Sequence, residues 1–522
     1  MVFGFALGPA PATLAPPMSS SPAAALLSVA PGDLPDMAGL GGHPRGLTTL
    51  FFTEMWERFS YYGMRALLVY FMVAPVAAGG LAYDNRKAGI IYGTYTMCVY
   101  MLCIPGGFVA DNFLGGRRSV FCGGLIIALG HFTLALPSEA AFFGGLVLFT
   151  FGTGLLKPNI SSMVGSLYPP GDPRRDGGFS LFYMGINLGA FNGPLITGWL
   201  AQSDEFKRLL AGWGLDPVHS WHWGFAAAGV GMTLGLVVYL ITGRRLVQVG
   251  RPPAAGTRPW RPLGLVLLGA AAVLAVVLLS DLNPDFAWIR YGYVVLPVLA
   301  ILWFGFQVSL DAKRIAAVLV FSLAAVVFWA IFEQAGSTIA LFGDQLTRTE
   351  VLGYRFPSAW FQSVNSVFVI LLAPVFGWLW VRLGANQPSA PFKFTLGLGF
   401  LALSFLLMVP AARLTIEGRV SPLWIVGLFF LQTVGELLLS PVGLSTMTKL
   451  APPKLLGLIM GIWFLADALG NQLAGVLAGE FTSTDGNVLA AFFLKQALWV
   501  GVAAVALLAG VPWVKKLMGG VK

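Results

Sequence analysis

Charge is scarce in this sequence: Lys, Arg, Asp and Glu make up 11% of its 522 residues, against about 25% in an ordinary soluble domain. The three cysteines, Cys98, Cys103 and Cys122, lie in apolar stretches without paired spacing or a neighbouring histidine, which excludes a disulfide framework and a thiolate metal site. Histidine is rarer than in most chains of this length, with four in all, and His131, His219 and His222 read as structural or loop residues. No nucleophile paired with a base and no phosphate-cradling glycine loop stands out, so the chain does not read as an enzyme and implies no cofactor. Residues 1–44 contain no Lys or Arg, so the basic start of a secretory signal is missing. Rich in Pro, Ala, Gly and Ser and without sustained period, they read as a disordered tail.

What the sequence does have is apolar length. Hydrophobic residues reach 57% and mean hydropathy is +0.78. A span needs about 20 apolar residues, and fourteen such runs follow one another between short turns. Backbone groups in lipid must be satisfied within each run, so an all-α membrane protein is expected. The net charge of +9 reads as topology and not as nucleic-acid binding. Arg117 and Arg118, Arg174 and Arg175, the cluster from Arg244 to Arg261, Lys313 and Arg314, Lys449 and Lys454, and Lys515 and Lys516 fall on alternate connections, and acidic residues on the others. The excess of basic residues on cytoplasmic loops then puts both termini in the cytoplasm.

Against that background, the first apolar run contains Glu54, Glu57, Arg58 and Arg65. At 100° per residue these, with Tyr61 and Tyr62, fall within about 140° of one helical face, while Phe52, Met55, Phe59 and Leu67 mostly fall outside it. An ionisable side chain at membrane depth costs about 2.5–3.5 kcal/mol on insertion scales. The stripe must therefore face protein or water. Two readings follow: static ion pairs that hold helices together, or a water-filled cavity in which carboxylates take up protons and cations hold an anion. Further charges at depth are Lys157, beside Pro158, then Glu333, Glu436 and Asp467. Asp467 reads as a hydrogen-bonding residue between helices or a cavity residue, and Lys495 as a snorkelling side chain.

The run Glu54-Met-Trp-Glu-Arg-Phe-Ser-Tyr-Tyr-Gly63 resembles the first-helix signature of the proton-dependent oligopeptide transporters, a branch of the major facilitator superfamily. Phe182-Tyr-Met-Gly-Ile-Asn187 is similar to that family's second signature, and Gly107-Phe-Val-Ala-Asp111 with Gly115-Gly-Arg-Arg118 to the major facilitator loop between helices 2 and 3. Asn112 stands where that loop often has arginine, Ser366 where proline often follows the asparagine, and Gly93 where mammalian relatives have histidine. The resemblance covers residues 45–517. It implies two six-helix bundles, residues 45–243 and 311–517, an extra two-helix hairpin in 244–310 as in bacterial members, and a short tail at 518–522. A monomer in a bacterial inner membrane is the expectation.

Parallel halves of this kind hold substrate between them. Arg65 lies about 20 residues beyond Arg45 and Glu333 about as far beyond Arg314, roughly 30 Å at 1.5 Å per residue, so both reach the outer part of the bilayer. Lys157 and Glu436 lie deeper toward the cytoplasm. Two pairs between the halves follow, Arg65 with Glu333 and Lys157 with Glu436, which the resemblance also implies as gates. It implies further that Glu54, Glu57 and Arg58, with Glu333, couple protons, and that Arg58 and Lys157 hold a peptide carboxylate. Glu436 and Ser440 would take the amine, Asn187 and Asn365 the terminal groups or amide, and Tyr61, Tyr62, Tyr100, Trp329 and Trp463 the side chains. The function implied is proton-coupled import of di- and tripeptides. The alternative on the same fold is transport of nitrate, peptidomimetics or drugs.

Overall fold

The computed structural model describes residues 39–169, 172, 174–246, 249–252, 264, 268, 312–451 and 456–519. The expected extra hairpin, at about 263–310, and most of the N-terminal tail lie outside the described residues. Ordered backbone nevertheless begins before residue 45: Leu40–Gly42 form a helical turn, and His43 Nδ1 lies 2.8 Å from the Tyr168 hydroxyl.

The first half opens with α1, Arg45–Val73, which stops because Pro75 forces Ala74 into an extended conformation with ψ 140°. α2, Asn85–Met101, starts on Asp84, whose side chain accepts from the Lys87 amide at 2.7 Å. It continues as α3, Cys103–Val109, and a π-helical turn at Ala110–Leu114. Then come α4, Gly116–Leu134, α5, Glu139–Ser166, α6, Arg175–Gln202, a short amphipathic α7, Asp204–Gly212, and α8, Ser220–Thr242. The second half comprises α9, Ala312–Phe332, α10, Thr338–Gln345, α11, Ser363–Leu383, α12, Ala390–Leu414, α13, Leu423–Leu450, α14, Leu456–Ala478, and α15, Gly486–Leu517. A two-stranded hairpin, β1 Glu350–Val351 and β2 Tyr354–Arg355, precedes α11. Among the described residues nine helical stretches are long and apolar enough to cross a membrane. α1 is not among them despite its 29 residues, because the charged stripe lies within it.

One expected element differs. The sequence predicts an unbroken helix over about 312–342, whereas α9 ends at Phe332, and Glu333–Gly336 form a tighter turn before α10. Side chains satisfy carbonyls at this break: Gln334 Nε2 donates to Ala330 at 3.2 Å and Gln362 Nε2 to Ala335 at 2.7 Å, while Thr338 Oγ1 donates to Gln334 Oε1 at 3.1 Å and holds that side chain in place. A Cβ on Gly336 would come within 1.8 Å of the Tyr92 hydroxyl, so only glycine fits there.

Within the first half α4 packs on α5, and α1 on α6 and α8; within the second, α12 packs on α13 and α15, and α9 on α14. The halves meet along α2 with α14 and α6 with α11. Where α2 crosses α14, Gly89 and Gly93 face Gly475, and a Cβ on Gly475 would lie 2.4 Å from the Gly89 carbonyl oxygen. Backbones touch there with no side chain between them. Several hydrogen bonds crossing the halves cluster at the far face, the end where α1 finishes. Asn85 Nδ2 donates to the Phe481 carbonyl at 2.8 Å, Ser363 Oγ to Phe191 at 2.7 Å, Trp360 Nε1 to Leu195 at 3.0 Å, and Tyr70 Oη to Ala340 at 3.2 Å.

This crossing yields a prediction. A Cβ on Gly479 would sit 3.4 Å from the Arg86 Cα, close enough for an Arg86→Cys/Gly479→Cys pair, in a background without the native cysteines, to oxidise readily. Adding Gly475→Val overpacks the seam at a cost of about 1–3 kcal/mol. Loss of thiol labelling on oxidation is expected to be near complete in the parent pair and several-fold slower with the valine; equal rates would show that the seam yields without strain.

Candidate functional site

The α1 stripe is buried inside the protein. Glu54 is 2% exposed, Glu57 0% and Arg58 4%, while Phe52, on another face, is exposed. The Arg58 guanidinium is shared by two carboxylates: its Nε lies 3.1 Å from Glu54 Oε1 and is also in contact with Glu57 Oε2. The pairing is electrostatic more than hydrogen-bonded, since both Glu57 carboxylate oxygens lack an aligned donor and Arg58 Nη2 lacks an acceptor. When both carboxylates are ionised the trio holds one negative charge in excess; with one proton it is neutral.

About two turns beyond Arg58 along α1, Arg65 forms an ion pair with Glu333 at the broken turn after α9. It joins the halves at the far face, with side chains 11% and 7% exposed. The ring of Tyr92 on α2 lies 5.4 Å from the Arg65 guanidinium carbon. Tyr61 sits between the two arginines, 5.1 Å from Arg58 and 5.8 Å from Arg65, and stacks on Phe149 at 5.7 Å.

The second expected pair is not formed. Lys157 lies over the Tyr100 ring of its own half, Nζ 3.7 Å from the centroid. Glu436 accepts from Asn365 Nδ2 at 3.1 Å, and that same nitrogen contacts Thr433 Oγ1 at 2.9 Å, all within the second half. Lys157, Glu436, Asn365, Tyr62, Tyr100 and Ser440 are half-buried. Asn187 is buried, its amide donating to the Tyr183 carbonyl at 3.0 Å within α6. Thus Lys157 of the first half and Glu436 of the second are separate, each held by neighbours in its own bundle.

Three aromatic residues depart from the expected role. Tyr61 is 1% exposed and lies beneath the arginines; Trp463, 4% exposed, packs into Gly443, where a Cβ would meet its ring at 2.1 Å. Trp329 is 8% exposed, backs onto Gly470, and its indole N–H has no partner. Tyr61 and Trp463 therefore shape the site from behind in this conformation. Two residues without an expected role do belong to it. Tyr92 bonds Arg65, and Tyr183, 40% exposed, has its carbonyl accepting from the Asn187 amide. Tyr183 lies inside the quoted second signature, which was the available signal; Tyr92 has no signal beyond its place four residues before Thr96 on α2.

Comparison with known proteins gives the same architecture. A model of the POT family matches residues 117–494. The chain is 43% identical over 454 residues to the uncharacterized transporter YclF of Bacillus subtilis, covering 85% of this chain and 89% of that one. It is 38% identical over 507 residues to the peptide transporter YePEPT of Yersinia enterocolitica, covering 91% and 96%. Among solved structures, a peptide transporter POT in complex with alafosfalin superposes with a TM-score of 0.82 at 40% identity, covering 94% of this chain and 98% of that one. The fold is of the major facilitator type, in an integral membrane protein.

The Arg65–Glu333 pair can be tested on its own. Replacing Glu333 by Gln leaves the guanidinium buried without a counter-charge, a loss of about 3–5 kcal/mol. The apolar pair Arg65→Met/Glu333→Leu removes both charges. Thermal unfolding in detergent is expected to fall clearly for each single variant and to recover by at least half in the double variant; additive losses would deny the coupling.

Proposed function

Because this chain belongs to the POT family of transporters, we propose that it imports di- and tripeptides together with protons by alternating access. We place it in a bacterial inner membrane with both termini cytoplasmic, so that the far face is the outer one. The observation that carries the reading is the unequal state of the two charge pairs: Arg65 is joined to Glu333 across the halves while Lys157 and Glu436 are each held at home. One gate is closed and the other open, as a carrier caught facing the cytoplasm requires.

In this reading Lys157 and Arg58 receive the peptide carboxylate from the first half, and Glu436 receives the amine from the second, with Asn365 already hydrogen-bonded to it. Ser440 stands one turn further along α13. Asn187 bonds the backbone, and the half-buried Tyr62 and Tyr100 border the side chains. A zwitterion spanning both halves satisfies the separated charges in place of Lys157–Glu436. Specificity then rests on the two termini at a fixed separation, and amphipathic rings tolerate varied side chains between them.

The proton enters through Glu54, Glu57 and Arg58. One guanidinium serving two carboxylates can serve a peptide carboxylate only by letting go of one of them, and protonating that one removes the buried charge it would leave. Glu333 offers the same exchange at the far face, where protonation releases Arg65 and opens the outer gate. One chain contains both gates, so the monomer is the transporting unit. Peptide-like substrates are supported by the relatives: YePEPT is named a peptide transporter, and the superposing structure holds alafosfalin.

Uptake of labelled dialanine into proteoliposomes with an acidic outside is expected to be saturable and to stop when the gradient is collapsed. Glu57→Gln should lower gradient-driven uptake at least tenfold, since the trio then carries no exchangeable charge beyond Glu54. Uptake indifferent to the gradient would remove the symport reading, and an unchanged Glu57→Gln rate would remove this assignment.

A further inference from the structure

Thr433 lies one turn before Glu436 on α13 and is fully buried. Its hydroxyl donates to the Phe429 carbonyl at 2.7 Å, the bond that Thr53 and Thr446 also make to their own helices. At Thr433 the same oxygen also receives a donor from another helix, Asn365 Nδ2 on α11, at 2.9 Å. A hydroxyl has one hydrogen and two lone pairs. With its hydrogen committed to Phe429, Thr433 can only accept from the amide, so the NH2 end of Asn365 and not its oxygen must stand there. The other N–H of that nitrogen goes to Glu436 Oε2 at 3.1 Å. Both donors of Asn365 are thereby spent on α13, on two residues three apart on one face of the helix, and its Oδ1 is left over as an acceptor. Turning the amide over would set Oδ1 against two acceptors at once, the hydroxyl oxygen and the carboxylate, with no donor between them. Glu436 alone could accommodate that reversal, by carrying a proton and donating it to Oδ1. Thr433 cannot, because its one hydrogen is already placed.

Resting on the proposed transport cycle, we propose that Thr433 is a positioning residue that sets specificity: it fixes the sense of the Asn365 amide, so that Glu436 and Asn365 together offer the substrate's N-terminus acceptors only. Such a pair fits an ammonium, which has three donors and no acceptor. It offers nothing to a substrate of the same shape that lacks the amine. Thr433 itself acts through Asn365 and not on the substrate. Without its oxygen the amide is free to reverse whenever Glu436 carries a proton, and the reversed pair, closed on itself through the Glu436 O–H and Asn365 Oδ1, no longer receives an amine.

The test compares two competitors of labelled dialanine uptake into proteoliposomes with an acidic outside: unlabelled dialanine, and propionyl-alanine, the same molecule without its amino group. Thr433→Val keeps the branched shape and removes the oxygen. It is expected to raise KM for dialanine by about fivefold or more, the worth of one hydrogen bond, with kcat little changed, and to leave inhibition by propionyl-alanine within about twofold of the parent. The preference for the amine therefore falls. Thr433→Ser, which keeps the oxygen, should restore it. In an Asn365→Leu background Thr433→Val should lower the preference no further, because its route to the substrate is then gone. A preference unchanged by Thr433→Val would overturn the proposal. So would equal weakening of both competitors, failure of Thr433→Ser to restore the parent value, or a further fall in the Asn365→Leu background, since a packing defect in α13 behaves in those ways. Absence of uptake by the unsubstituted chain would overturn the transport reading and this proposal with it, whereas normal uptake with a preference indifferent to Thr433 would overturn the proposal alone.

Discussion

A buried charge must have a counter-charge within reach, and this requirement organises the molecule. Arg65 satisfies it by reaching Glu333 in the other bundle, which commits the far face to closure for as long as both are ionised. The geometry that allows the contact is indirect. Glu333 reaches Arg65 because α9 breaks after Phe332, and the break is tolerated because Gln334, held by Thr338, and Gln362 bond carbonyls there. Gly336 leaves room for the Tyr92 ring beside the pair. Remove any one of these and the ion pair loses its position before it loses its charge.

The same requirement sorts the remaining charges by how many partners each can choose between. Arg58 has two carboxylates and therefore one more than it needs. Lys157 and Glu436 have neutral partners close by, a ring and an amide, so each is available without being stranded. Availability of this kind separates a ligand site from a structural ion pair: the groups are held well enough to remain buried and weakly enough to exchange. Static pairing of all the charges, the other reading open from sequence, would have saturated them in one arrangement.

Much of this was legible in residue order. The charged face of α1 follows from angular spacing alone, and counting residues from the flanking arginines placed Arg65 and Glu333 at the same depth, where they do meet. The break after Phe332 was not legible, because Phe328 to Phe342 is free of proline; only Gly336 hinted at it, and its significance depends on a tyrosine more than two hundred residues away. Tyr61 and Trp463 were expected to face a ligand, yet aromatic type does not reveal which side of a helix is covered by Phe149 or by Gly443. Residues of the expected hairpin lie outside the described part of the chain.

The glycine contact between α2 and α14 bears on how the bundles can travel. With Gly89 and Gly93 against Gly475, two main chains rest on one another without any deformable cushion. Sliding along that line would drive neighbouring side chains into peptide groups, whereas tilting about it leaves the bearing surfaces in place. The smallest residues in the molecule thus leave tilting about this seam as the movement its packing resists least.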